Sequence, residues 1–269
     1  MTQNIRKVFD MNEQEAEDWV NRSTGNLIVT KESQVFFRHA DLFLRRHNNI
    51  YEQILETLQI ELKGLEFSTE KRQYKDGIRY ARRIKADSLN TSIRDNFKIN
   101  IPEMKYEVDF KEGVFYDSTK IGGFDFALFD ELYNLVNFRN YCFGRRAIFD
   151  GKSRWNRELF KRADWRKLAD VHELESITEG IDMDYPKNEP TIIGEIQFGN
   201  WALLYYDLLK TIQIEQLVDM DFLVYITASG NLSKYISDGT VNFDKTRKDL
   251  EDIESLIKFP IWLIGVDFK

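Results

Sequence analysis

Apolar positions along this chain change period several times, and each change predicts an element. From Asp41 to Phe67, "DLFLRRHNNIYEQILETLQIELKGLEF" sets Leu42, Ile50, Ile54, Leu58 and Leu62 at roughly helical spacing, with Gly64 as a stop. That stripe is expected in the core. Between residues 95 and 128 the period shortens: "NFKINIP" and "YEVDFKEGVFYD" alternate apolar and polar residues and predict short strands meeting at Pro102 and Gly113. "FDFALFDELYNLVNF" then returns to a helical pattern. Residues 1–140 therefore read as mainly helical with short strands.

The second half is more regular. A basic helix near 153–168 precedes "ITEGIDMDY", the turn "PKNEP" and a strand "TIIGEIQFG". After these come a helix "NWALLYYDLLKTIQIEQL", a strand "DFLVYITA", a polar helical connection and a last strand "FPIWLIGVDF". A strand, a helix and another apolar strand in succession predict an α/β fold with a mixed sheet covered by helices. No repeat, low-complexity linker or composition shift marks a boundary, so residues 1–269 are expected to form a single domain.

Composition narrows the class. With 269 residues and 42% hydrophobic content the chain has ample material for a core. Its one cysteine, Cys142, allows no intrachain disulfide and is expected as a small buried side chain. His39, His47 and His172 lie in no metal-ligand spacing, and neither a Walker A loop nor a G-x-G-x-x-G turn is present. No apolar run is long enough to span a membrane, and Met1–Phe9 lacks a following apolar leader segment; a soluble, cytoplasmic protein without membrane contact is expected.

The net charge of −7 and pI near 5.2 argue against a polyanionic partner only on average, because binding depends on where charge sits. Two stretches run the other way. "KRQYKDGIRYARRIK" (71–85) holds seven Lys or Arg against one acid, and "KSRWNRELFKRADWRK" (152–167) seven against two. Each reads as a solvated helix face or as a phosphate contact.

The strand "TIIGEIQFG" carries a chemical oddity. Glu195 and Gln197 are two apart and share one face of an otherwise apolar strand. A hairpin whose loop is centred on Lys187 to Pro190 sets Asp182 opposite Glu195, with Asp184 as the alternative. Two carboxylates and an amide oxygen on one face form a hard-oxygen set suited to Mg²⁺, whose charge relieves their repulsion. Solvated carboxylates at a sheet edge are the plain alternative. Two acids on one short hairpin also stand too close to flank a glycosidic bond.

The order of these pieces resembles the active-site region of type II restriction endonucleases of the BglII, BamHI and BstYI group. In that group an Ile-Asp begins the hairpin, Glu-x-Gln or Glu-x-Glu closes it and an apolar helix follows, as in "GIDMDYPKNEPTIIGEIQFGNWALLYYDLLK". Further on, "DFLVYITASGNLSKYISDGTVNFDKTRKDLEDI" is similar to the group's strand, recognition loop and Val-x-Asn-Phe helix, and "FPIWLIGV" to its last strand. Upstream, "WNRELFKRADW" looks like the helix before the hairpin.

The resemblance implies a restriction-endonuclease-like fold of the PD-(D/E)xK type, a central mixed β-sheet flanked by helices, with residues 150–268 as the catalytic and DNA-recognition core. It implies sequence-specific, Mg²⁺-dependent hydrolysis of double-stranded DNA at a short palindrome by a homodimer, with a DNA methyltransferase as companion. Asp182 (or Asp184) and Glu195 are the implied metal ligands; Gln197 and Asn156 complete the catalytic set. Gln197 stands where the common pattern has Lys, and an amide is no general base. The separation of Asp182 and Glu195 is longer than in the BglII branch, which leaves Asp182 and Asp184 both open. Asn200, Ser229, Asn231, Ser233, Lys234, Ser237 and Asn242 are implied DNA contacts, and Asp207 is expected at the surface or in a local hydrogen bond. A structure-specific repair nuclease and a non-catalytic DNA-binding or protein-interaction module are the competing classes.

Overall fold

A computed structural model describes residues 9–117, 123–175, 179–218, 220–236 and 239–269. Ser237 lies outside the described residues. The chain forms two compact units, each assembled from separate segments: 1–104, 194–212 and 222–269 in one, 105–193 and 213–221 in the other.

The first unit begins with β1 (Phe9–Met11), α1 (Glu13–Val20), β2 (Thr24–Gly25), β3 (Leu27–Ile28) and β4 (Gln34–Phe37). It continues through α2 (Ala40–Arg46), α3 (Asn48–Leu58), β5 (Leu62–Lys63), β6 (Phe67–Tyr74), β7 (Gly77–Ile84) and α4 (Ala86–Asn100). In the second unit come β8 (Lys105–Lys111), β9 (Val114–Asp117), β10 (Phe124–Leu128), α5 (Glu131–Phe143), α6 (Gly151–Lys161) and α7 (Ala163–Val171). The chain then runs through β11 (Ile192–Gln197), α8 (Ala202–Leu217), β12 (Phe222–Ala228), α9 (Leu232–Tyr235), α10 (Phe243–Asp252) and β13 (Ile261–Phe268).

In the first unit β13 lies parallel to β12 from Leu223↔Ile261 to Ala228↔Val266, while β3 and β4 pair with it antiparallel. β11 adds on the far side of β12, giving the order β3-β13-β12-β11. Every residue of β12 is buried, as is Ile261–Val266, which is why both read as unbroken apolar runs rather than alternating ones. Gly265 lets α10 close on this sheet: a Cβ there would stand 2.8 Å from both Phe243 and Ser229. The predicted mixed α/β sheet is present, with α2, α9 and α10 packed on β13.

Several local expectations change. The stripe from Leu42 to Leu62 is interrupted at His47 (φ −116°, ψ 49°), which separates α2 from α3. The break resets the helical phase: Ile50, Ile54 and Leu58 are buried on α3, but Leu42 is 51% exposed, and Leu62 is buried on β5 rather than on a helix. "NFKIN" is the end of α4 rather than a strand; Leu89, Ile93 and Phe97 recur every four residues and are buried, whereas Ile99 is 75% exposed. The basic stretch 71–85 is not a helix face. It is the β6–β7 hairpin, paired from Phe67↔Ile84 to Tyr74↔Gly77 around a Lys75-Asp76 turn.

Within the second unit β10, β8 and β9 pair antiparallel in that order. α5, α6 and α7 enclose a core of Val114, Leu135, Phe138, Trp155, Leu159 and Trp165. Cys142 is buried in this cluster as expected, and burial pushes its thiol up to about 12. Among the described residues no helix is long and apolar enough to cross a membrane.

Candidate active site

The polar face of β11 meets α8 inside the first unit. Ile196 and Phe198 turn into the core, and Glu195, 5% exposed, and Gln197 face α8. Two charged side chains of that helix answer them. Lys210 donates from Nζ to Glu195 Oε1 at 3.0 Å and stands 3.3 Å from Asp207 Oδ1. Asp207 also accepts from Gln197 Nε2 at 3.4 Å, and Gln197 Oε1 accepts from Gly199 N–H at 2.8 Å. Gln197 is thereby held at both ends of its amide. Asp207 is only 5% exposed, so it is a member of this cluster and not a surface residue.

One ammonium serves two carboxylates, and the electrostatics follow from that ratio. Burial pushes Lys210 down, but Glu195 and Asp207 outweigh it and hold the amine above its ordinary value. For Asp207 burial dominates and pushes the carboxyl up; Lys210, Gln197 and the Tyr225 hydroxyl offset only part of it. Lys210 gains from both acids, whereas Asp207 has only a share of one cation.

Beyond Gln197 the chain turns out of the strand. Asn200 accepts from Ala202 N–H at 3.0 Å at the start of α8 and bridges to Thr240. Ser229 follows the end of β12, Asn231 precedes α9, and Ser233 and Lys234 lie on it. Ser233 Oγ donates to the Gly230 carbonyl at 2.8 Å and Lys234 Nζ to Asn231 Oδ1 at 3.2 Å. Asn242 caps α10 by accepting from Lys245 N–H at 3.1 Å and bridges to Ala228. The six described members of the implied DNA-contact set thus gather where β11 and β12 end. The Oδ1 atoms of Asn200 and Asn242 cap helices, so their Nδ2 donors are not used for capping.

Asp182 belongs to the second unit, where the segment around it differs from a hairpin strand. Residues 181–190 form no strand. Their backbone is held by α5 and the loop after it: Asn140 accepts from Met183 N–H at 2.8 Å and donates to its carbonyl at 2.7 Å, and Arg139 donates to the Ile181 carbonyl. Asp182 Oδ1 accepts from Arg145 N–H at 2.9 Å. Gly144 makes room for that carboxylate, since a Cβ there would come within 2.1 Å of Oδ1. The "PKNEP" loop is tied down by Lys187 Nζ to Asp221 at 2.6 Å and by Asn188 N–H to Asp130 at 2.9 Å. Asp184 is exposed. Asn156 is exposed on α6 and lines a cleft of about 150 Å³ with Phe143, Lys152, Trp155 and Glu175.

Lys210 was not singled out from the sequence. One signal was available: in Ala202–Gln213 only Asp207 and Lys210 are charged, one helical turn apart in an apolar helix.

Residues 146–266 match the family Restriction endonuclease BglII/BglIII. That stretch is similar to the BglII-type restriction endonucleases. It takes in β11, α8 and the loop regions at the ends of β11 and β12, and it places the region in the class of type II site-specific deoxyribonucleases. The crystal structure of restriction endonuclease BglII complexed with a DNA 16-mer is similar at 12% identity and a TM-score of 0.42, covering 87% of this chain and 76% of that chain. No curated protein matches the chain.

Proposed function

We propose that this protein is a BglII-type, cytoplasmic, Mg²⁺-dependent endonuclease that cuts double-stranded DNA at a short palindromic site as a homodimer, beside a methyltransferase that protects the same site. The observation that carries the reading is the Glu195–Lys210–Asp207–Gln197 cluster at the end of β11, with both carboxylates buried, inside the family-matched stretch. Buried charges without a task are costly, and a strand of this composition would be more stable with apolar residues there.

The donor chemistry of the proposed ligands suits Mg²⁺. Their donors are hard oxygens, and Mg²⁺ is ordinarily held by one or two carboxylates with water and phosphate oxygens completing its shell. Glu195 and Asp182 are the proposed ligands, with Asp184 the alternative to Asp182. When bound there, Mg²⁺ supplies a polarised phosphoryl oxygen and a water of lowered pKa.

The chain's own groups do the rest. Lys210 orients the Glu195 carboxylate and balances its charge. Gln197, fixed by Gly199 and Asp207, positions oxygen and nitrogen without taking a proton. Asn156 is a further proposed polar contact at the site. Asn200, Ser229, Asn231, Ser233, Lys234 and Asn242 are the proposed DNA contacts, and Ser237 is proposed with them on the resemblance alone. Amide and hydroxyl groups of these kinds read base edges or hold phosphates.

Incubation with a panel of phage DNAs, with and without Mg²⁺, tests this directly. Discrete fragments that require Mg²⁺ and disappear in Glu195→Ala are expected, and sequencing their ends gives the site. DNA left intact across the panel would overturn the catalytic reading in favour of a binding module; a smear without fixed ends would favour a structure-specific nuclease.

A further inference from the structure

The β6–β7 hairpin divides its seven basic residues into two populations. Those at its base are neutralised within the protein: Arg82 meets Asp10 at 2.7 Å, Arg83 pairs with Glu70, and Lys85 meets Glu66 at 3.0 Å. Those at its tip are not. Lys71, Arg72 and Lys75 are exposed and form no ion pair among the described residues, and Arg79 has only the exposed Asp76 at 3.5 Å. The tip thus carries four cations against one acid on a chain whose net charge is −7.

Their arrangement is unfavourable for the protein alone. Arg72 and Arg79 stand directly opposite each other in the antiparallel register, a like-charge pairing that weakens a ribbon. Lys71 and Arg72, being adjacent, occupy opposite faces, so both sides of the tip are cationic. Arg72 also lies over the Phe9 ring, 5.7 Å from its centroid, which leaves its charge without a counter-ion. A polyanion with charges on either side of a two-stranded ribbon would relieve it, and a DNA groove has phosphates along both walls.

The hairpin is also anchored beside the proposed reading loop. Arg83 donates to the Lys234 carbonyl of α9 at 2.9 Å, and the Trp19 ring packs edge-on against both Phe67 of β6 and Tyr235 of α9. From Arg83 to the turn at Gly77 the ribbon extends for about 20 Å at roughly 3.3 Å per residue. That reach corresponds to about six base pairs at 3.4 Å each.

We infer that Lys71, Arg72 and Lys75 grip backbone phosphates of DNA flanking the cleaved sequence, several base pairs from the bases read near α9. This rests on the proposed action on double-stranded DNA. The test compares wild type with Lys71→Gln/Arg72→Gln/Lys75→Gln in Mg²⁺-free binding titrations over a salt series. One duplex carries the site with about fifteen flanking base pairs on each side, and the other with only two. All three side chains are exposed, so the variant should fold as wild type does, with a thermal midpoint within a few degrees of it.

On the long duplex the slope of log affinity against log salt should become shallower by about 2 to 3, near 0.9 for each phosphate that is no longer neutralised. Affinity at low salt should fall roughly 10- to 100-fold for the same reason. On the short duplex wild type and variant should coincide. Equal slopes on the long duplex, with wild type binding well, would overturn this inference alone. Failure of wild type to bind either duplex would overturn the DNA reading, and this inference with it.

Discussion

Lys210 shows how much of this site depends on one side chain. Its ammonium lies 3.0 Å from Glu195 and 3.3 Å from Asp207, and none of the three side chains is more than 18% exposed. In Lys210→Met two acids lose their shared cation, and chemical denaturation should show a loss of about 3 kcal/mol, the low end for breaking a buried ion pair. Adding Asp207→Asn should restore part of that loss, because one of the two stranded charges is gone; a double variant no more stable than the single would refute the coupling. The pH dependence has a definite sign. Lys210 is raised in the folded state, so its contribution is fully present below the ordinary lysine value of 10.5 and is lost as pH rises through the folded value. Asp207 is also raised, so the folded protein holds its proton more tightly, and stability declines as pH rises from the ordinary 3.8 through the folded value. Asp207→Asn should lack that decline, which denaturation curves from pH 3.5 upward would reveal. Glu195 and Gln197 were legible because polar residues two apart interrupt an apolar strand. Asp207 and Lys210 were not assigned to the site, because a lone acid and a lone base on a helix read equally well as solvated.

At the scale of elements, α5 replaces a strand. Asn134 donates to the Phe115 carbonyl and accepts from Phe115 N–H at 2.9 and 2.8 Å; Asn140 repeats the pattern with Met183. A side-chain amide offers the donor and acceptor that a neighbouring strand would, so the segment carrying Asp182 can be ordered without a ladder of its own. Sequence pattern reports period, not partner, and so the Asp182 hairpin was predicted where an asparagine does the pairing. Asn140→Ala should lower stability by about 1 to 2 kcal/mol, since the side chain is partly exposed and two backbone groups lose their partner. Under the proposed function it should lower the cleavage rate by about tenfold or more, as a small misplacement of a catalytic group has large kinetic consequences. Full activity in Asn140→Ala would show that the position of Asp182 is immaterial. The same limitation explains the basic hairpin: Arg and Lys at 79, 82, 83 and 85 suit a helix face by spacing, and only the Asp76-Gly77 dipeptide at its turn, where Lys75 and Asp76 form the loop, pointed to two strands. The central apolar strands β12 and β13 were legible because burial on both faces leaves no polar residue to confuse the period.

For the whole molecule, the chain closes into two compact units, with breaks at 104/105 and 193/194. Each unit is closed by segments far apart in the chain, and no linker composition marks such a closure. The proposed assembly adds a second copy. A palindrome has the same two-fold axis as an isologous dimer, so each protomer attends one strand and a double-strand cut requires two intact sites. Co-expression of wild type and Glu195→Ala under two different tags, with purification through both, isolates the mixed dimer. On a supercoiled plasmid with a single recognition site, the wild-type homodimer should yield linear DNA, and the mixed dimer should stop at the nicked circle. Linear product from the mixed dimer at the wild-type rate would mean that one active site serves both strands. Recovery of no doubly tagged species would mean that the protein does not dimerise, and the palindromic reading would then lose its physical basis.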